Sequence, residues 1–347
     1  SYLFYFLTFV LSLSINGGKM RDLDTASRVI FFVPVLLLLL KYPIKTCVLS
    51  YSIPLGSIIS LCVALYDKFI LNLRPEQNPR IMHIQGGDIS MSLGIFSLII
   101  ALYAHQKKDI KLTTLSVISG LCGIVGSLLS TARGGWVALP VLLIVILYIY
   151  RHSLSKRFFL TFFGIIVVEG IGISQMPNNR IMERINVAQK DIQLYLDKNN
   201  GNTSLGARFE MWKSAIAMAK EKPLFGWGIQ GATEKRKQET KEKIATGNIG
   251  QFTHAHNQYL DDLSKRGIVG LLALLAVLFI PLRAFMKKLN TTNDEVKLIA
   301  TLGVAHVLSV MIYGLSQGFL VHNSGTIFYF FLTIVFYAAI RTHQKAE

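Results

Sequence analysis

The chain has 347 residues, 52% of them hydrophobic, and a formal net charge of +16 from 36 Lys and Arg against 20 Asp and Glu; its mean hydropathy is +0.45. So many long apolar runs exclude a soluble domain of this length. Much of the positive charge lies in short loops between those runs, so it marks membrane orientation rather than nucleic-acid binding.

Segments of about 18 or more apolar residues read as membrane-spanning helices. Roughly ten such segments follow one another, near 2–16, 29–40, 47–66, 88–105, 112–130, 135–150, 158–175, 268–286, 297–319 and 325–340. The first two are short for full spans. Residue 1 is Ser and an apolar run begins at once, so earlier spans are expected to be missing; no cleavable signal sequence is visible. Cys47, Cys62 and Cys122 all lie in or beside apolar runs, with no Cys-x-x-Cys or Cys/His cluster, which argues against a disulfide framework or a structural metal. The fold class is therefore all-α and polytopic. The predicted organisation is a membrane part over 1–175, one large polar loop over 176–267, and a membrane part with a short tail over 268–347. In the loop, Glu234-Lys235-Arg236-Lys237-Gln238-Glu239 reads as a solvated helix face.

Alternate short loops are basic. They carry Lys41 and Lys45, then Lys107, Lys108 and Lys111, then Arg151, Lys156 and Arg157, then Arg283, Lys287 and Lys288, and finally Arg341 and Lys345. Such loops stay in the cytoplasm, so the large loop is expected on the outer side, together with the connections near 17–28, 67–87, 131–134 and 320–324.

Three features on that outer side could carry chemistry. The first is Ser130-Thr131-Ala132-Arg133-Gly134-Gly135-Trp136, a short connection holding an arginine at a span end. An arginine at the centre of a membrane helix costs about 2.5–3.5 kcal/mol, so such residues usually face a partner or cavity; the plainer alternative is an interfacial side chain snorkelling to lipid phosphate. The second is Ser204-Leu205-Gly206-Ala207-Arg208-Phe209-Glu210-Met211-Trp212, where Ser204 can cap a helix that holds Arg208 in its first turns. A cation there opposes the helix dipole unless an anion binds too; the alternative is a surface pair with Glu210. The third is Thr253-His254-Ala255-His256-Asn257, running into an amphipathic helix through Tyr259, Leu260 and Leu263. Histidines at i and i+2 do not share a helix face, so a two-histidine metal site is not expected and a loop-to-helix junction is. Asp88 follows Gly86-Gly87 at an outer span end and reads as a helix cap, or as a sugar contact.

Together the ordered set Thr131-Ala132-Arg133-Gly134, Ser204-Leu205-Gly206-Ala207-Arg208 and His254-Ala255-His256-Asn257 resembles the O-antigen ligase family, within the wider group of O-antigen ligases and polymerases. Leu224-Phe225-Gly226-Trp227-Gly228 is similar to a glycine turn of that wider group. The resemblance covers most of the chain from about residue 85. It implies transfer of O-antigen polysaccharide from undecaprenyl diphosphate to a sugar hydroxyl of lipid A–core, on the periplasmic face of the bacterial inner membrane. It also implies inversion of the anomeric centre, no metal and no cofactor.

The residue chemistry fits that implication. A diphosphate leaves as a stable anion and needs cations rather than a general acid, and arginine's planar fork binds two phosphate oxygens. The acceptor hydroxyl must lose a proton, which a neutral histidine can take. Arg133 and Arg208 are therefore assigned to the diphosphate and His256 to the acceptor proton. His254, Asn257, Trp136 and Asp88 are the further candidates for contacting substrate. The competing readings are an O-antigen polymerase using the same donor, a transporter of lipid-linked sugar, for which the mid-span His306 is thin support, and a structural membrane subunit.

Overall fold

The computed structural model describes residues 1–42, 44–73, 82–130, 133–151 and 180–343, without the side chains of Arg133 and 180–185. Regular structure among the described residues is helical throughout. The membrane part consists of α1 (Tyr2–Asn16), α2 (Asp24–Lys41), α3 (Thr46–Leu65), α4 (His83–Gln106), α5 (Ile110–Ser130) and α6 (Arg133–Tyr150). The polar loop supplies α7 (Arg180–Lys198), α8 (Ser204–Glu221) and α9 (Gly228–Lys241). Then come α10 (Gln258–Met286), α11 (Asp294–Tyr313) and α12 (Asn323–His343). Helices answer the apolar runs because lipid offers no partner for a backbone amide, so each must be satisfied within its own segment.

Seven of the described helices are long and apolar enough to cross a membrane, and Tyr2–Asn16 and Gly134–Tyr150 are shorter apolar helices. The predicted segment 158–175 lies outside the described residues. The two most enclosed helices are α4 and α11, whereas α2 is largely exposed and presents leucines and phenylalanines outward. Small residues allow the tightest packing: a Cβ on Gly123 of α5 would lie 2.5 Å from the Cα of Gly94 in α4. His306, the mid-span polar residue, is fully buried; its Nε2 lies 3.0 Å from the carbonyl of Tyr329, and its ring stacks on that tyrosine.

Contacts sort the connections into two ends. At one end Lys107 Nζ meets Asp294 at 2.8 Å, and the Thr46 hydroxyl donates to Glu295 at 2.5 Å. There Asn293 caps α11, its side chain accepting from Glu295 N and Val296 N. At the other end α8 and α9 pack on α10, α9 also touches α1, and α7 packs on α8.

That second end is joined by glycines. α10 is kinked at Gly267, whose φ of 64° and ψ of −161° belong to a region that almost only glycine occupies. The turn at Leu224-Phe225-Gly226-Trp227-Gly228 docks into the kink backbone to backbone. Ile268 N donates to Pro223 O at 2.8 Å and Trp227 N to Ser264 O at 3.0 Å. A Cβ on Gly267 would lie 2.3 Å from Leu224 O, and one on Gly226 2.5 Å from the carbonyl carbon of Lys265. The glycine motif is thus a mutual close approach. Gly267→Ala combines a backbone penalty of about 1–3 kcal/mol with a clash against main chain that cannot move aside. The expected outcome is a lower melting temperature in detergent and faster proteolysis of α7–α9. A variant as stable as the parent would show that the kink does not hold the two parts together.

Candidate functional site

Arg208 lies in the second turn of α8. The N-cap of that helix is Thr203, whose side chain accepts from Gly206 N at 3.0 Å, so the predicted cap at Ser204 is displaced by one residue and Ser204 is the first helical position. A Cβ on Gly206 would lie 2.3 Å from Asn200 O, which accounts for glycine before Ala207-Arg208. Glu210 does not offer itself as a surface partner. It is buried and takes bonds from the Tyr195 hydroxyl at 2.5 Å, Lys213 at 3.2 Å and Thr246 N at 2.9 Å. Burial alone would raise its pKa, but these donors outweigh burial and hold the carboxyl below the usual range. Four residues beyond Arg208 on the same face, Trp212 Nε1 donates to Ala255 O at 3.0 Å. That bond fastens the Arg208 face onto the peptide between the two histidines.

The histidine segment has no regular structure, and side chains from other elements bond several of its backbone groups. Arg236 donates to Phe252 O at 3.3 Å and to Thr253 O at 3.0 Å. This corrects the solvated reading of the charge run: Arg236 is fully buried and Glu239 nearly so, because loop carbonyls with no strand or helix partner need a donor. Ala255 N donates to Asp261 Oδ1 at 2.9 Å. His256 has φ of 47°, left-handed backbone that reverses the chain into α10. Asn257 then caps α10, its side chain accepting from Tyr259 N and Leu260 N and donating to Leu315 O at 3.2 Å. Asn257 is thus engaged in local structure. Gln258 locks the helix start to the α11–α12 connection: its N donates to Gly314 O at 2.7 Å, and Leu320 N donates to its Oε1 at 2.8 Å.

These bonds gather three imidazoles. The rings of His254 and His256 are 4.3 Å apart, and those of His254 and His322 are 5.4 Å apart. The i and i+2 spacing brings two rings together here because the residues precede the helix. His256 Nδ1 lies 2.6 Å from Gln317 Oε1. His254 is only 8% exposed, and burial, then its neighbour His256, pushes its pKa down to about 3. His256 is half-buried, and its pKa is lowered from 6.5, first by burial and then by the Arg208 guanidinium, against an opposing bond to Gln317. Both are neutral near pH 7, and His256 is the one with access to a ligand. Among the described residues no group of three or more His, Cys, Asp and Glu is arranged to hold a metal ion.

The Arg133 corner is built from α4 and α6. Thr131, Ala132 and the Arg133 side chain lie outside the described residues, but the first turn of α6 is clear. A Cβ on Gly134 would lie 3.0 Å from Asp88 Oδ1, and one on Gly135 2.8 Å from the Ser127 hydroxyl. Asp88 is fully buried in α4, and its carboxyl group lies against Gly134 at the start of α6. It serves a neighbouring helix rather than its own. Trp136 packs against the main core. Met82, just before α4, touches Gln317. From Met82 to Asp88 is six residues, about 9 Å along a helix axis, so the Arg133 corner and the histidine cluster share the first turns of α4 as a wall.

Gln317 and His322 were invisible to sequence reasoning. They sit about 60 residues beyond the histidine pair, in a connection of unremarkable composition, and only the fold brings them to it.

A family profile described as O-antigen ligase matches residues 118–275, which include Arg133, Arg208, His254 and His256. A protein of Haemophilus influenzae described as uncharacterized is 43% identical over 336 residues, covering 97% of this chain and 84% of that protein.

Asp261 is the hinge of the loop, with Oδ1 on Ala255 N and Oδ2 on Lys265 Nζ at 2.7 Å, both side chains being buried. Asp261→Ala strands a buried ammonium and a peptide N–H, and is expected to cost about 3–5 kcal/mol, read as a lowered unfolding midpoint. The double change Asp261→Asn with Lys265→Met leaves no orphaned charge and is expected to recover part of it. Equal losses in both would mean that the pair is not what holds the loop.

Proposed function

The chain belongs to the O-antigen ligase family, and from that premise we propose that it transfers a polysaccharide from undecaprenyl diphosphate to a sugar hydroxyl of lipid A–core. The reaction takes place at the outer face of the inner membrane, in a chain of about ten spans. The observation that carries this reading is the half-buried His256, held on Gln317 and kept neutral beside Arg208 at the start of α10. The charge asymmetry supports the sidedness: the basic loops Lys41–Lys45, Lys107–Lys111 and Arg283–Lys288 end at the pole opposite α7–α9.

In this reading Arg208 and Arg133 together bind the diphosphate. The acceptor oxygen attacks the anomeric carbon from the face opposite the diphosphate, and the acceptor proton goes to His256 Nε2. The bond between anomeric carbon and diphosphate oxygen breaks, and the diphosphate leaves with both electrons, which inverts the centre. The arginines stabilise that anion without a metal ion. His254, buried and with its pKa pushed down to about 3, shapes the site rather than taking the proton.

Purified protein is expected to join the two lipids with EDTA present. His256→Ala is expected to lose about 10²-fold or more in turnover, and His254→Ala to retain measurable activity. The base works as the neutral imidazole and its pKa lies below 6.5, so turnover is expected to be flat near neutrality and to fall only as pH drops below that ordinary value. An active His256→Ala beside a dead His254→Ala would reverse the assignment, and product from two lipid-linked glycans in place of lipid A–core would make the protein a polymerase.

A further inference from the structure

Gln317 is the fully buried side chain that touches the proposed base most closely. Its orientation follows from its neighbours. The amide nitrogen faces Met82 Sδ at 3.4 Å and His322 Nε2 at 3.2 Å. A thioether sulfur has no proton to give, so the group facing it is the NH2. The oxygen therefore faces His256 Nδ1 at 2.6 Å. Two lone pairs at that distance would repel, so Nδ1 carries the proton and donates. His256 is then the Nδ1–H tautomer with its lone pair on Nε2. His322 accepts from Gln317 at Nε2 and so carries its own proton on Nδ1. One amide fixes the proton positions of two imidazoles.

We propose that Gln317 is the positioning residue of this site, holding His256 in the tautomer whose Nε2 can take the acceptor proton and sharing the charge when that proton arrives. The inference rests on His256 being the base. The bond does two things. It restrains ring rotation, as a third group does in nucleophile–base triads. It also places an oxygen 2.6 Å from an N–H that becomes more acidic on protonation, so it stabilises the imidazolium and makes the base stronger. The other charged and titratable groups facing His256 are His254 on its own loop, Arg208 from α8, Asp261 from α10, and His322 beyond Gln317, with Lys265 of α10 acting on His254 and His322. Arg208 opposes protonation and Asp261 favours it, and both stay in place when Gln317 is changed.

The test uses the full-length protein in detergent with the lipid-linked donor and lipid A–core. Gln317→Ala is expected to lower turnover at least about tenfold and to move the acid limb of the pH profile downward, because the imidazolium loses its acceptor. Gln317→Glu, nearly isosteric, is expected to move that limb upward by about one to three pH units and to regain much of the turnover above it. A residue with only a packing role would lower turnover in both variants without moving the limb. Independently of activity, ring-labelled histidine in the parent protein is expected to show a ¹⁵N spectrum in which His256, assigned by loss of its signals in His256→Ala, is protonated at Nδ1 and unprotonated at Nε2. The opposite tautomer, or a limb that stays fixed in Gln317→Glu, overturns the role of Gln317. An active His256→Ala instead overturns the underlying reading of the base, and the two failures are distinguishable because the tautomer is read without turnover.

Discussion

The carboxylate of Asp261 is where a loop without regular structure becomes part of a membrane helix. One oxygen takes the peptide N–H between the two histidines, and the other takes an ammonium one turn further along α10. A free segment such as 252–257 has many backbone groups to satisfy and no ladder to satisfy them with. Here four of them are met by side chains from three helices: Phe252 O and Thr253 O by Arg236 of α9, Ala255 O by Trp212 of α8, and Ala255 N by Asp261 of α10. Because the partners come from separate helices, the loop can hold its shape only when α8, α9 and α10 are all docked. The glycine contact at Gly226 and Gly267 supplies that docking, and the Gln258 bonds to Gly314 and Leu320 bring in the last connection.

The same arrangement divides labour between charges. Buried ions hold structure: Arg266 with Asp262, Lys265 with Asp261, and Arg236 on the carbonyls of Phe252 and Thr253. The half-exposed ionisable groups at the junction include a cation, Arg208, and two neutral imidazoles, His256 and His322. A cation near a base lowers its affinity for protons, which keeps it ready at neutral pH; an anionic ligand bound to that cation would offset the effect. Binding of a diphosphate beside His256 would therefore strengthen the base when a donor is present.

Much of this was legible in the sequence because bilayers impose a simple rule on long apolar runs. Nine of the predicted runs coincide with helices, and 158–175 lies outside the described residues. The junction character of His254-Ala255-His256-Asn257 was also readable, since the amphipathic pattern begins only at Tyr259. What was not legible depended on tertiary contact. Arg236 looked solvated because a charge run gives no hint that one member turns inward toward orphaned carbonyls. The cap fell at Thr203 rather than Ser204 because both residues can cap and only the fold selects the register. Asp88 read as a cap of its own helix, whereas its carboxylate faces another. Gln317 carried no signal, because a lone glutamine in a short connection looks like any other.

The account stands on a separation of roles: arginines hold the donor's diphosphate and His256 takes the acceptor's proton. Equilibrium affinity for the lipid-linked donor, measured without acceptor on the purified parent, Arg208→Ala and His256→Ala, tests it most directly. The account requires His256→Ala to bind donor about as tightly as the parent while Arg208→Ala binds it at least about tenfold more weakly, a cost of about 1.4 kcal/mol or more. Donor affinity lost with His256 and kept without Arg208 would contradict it.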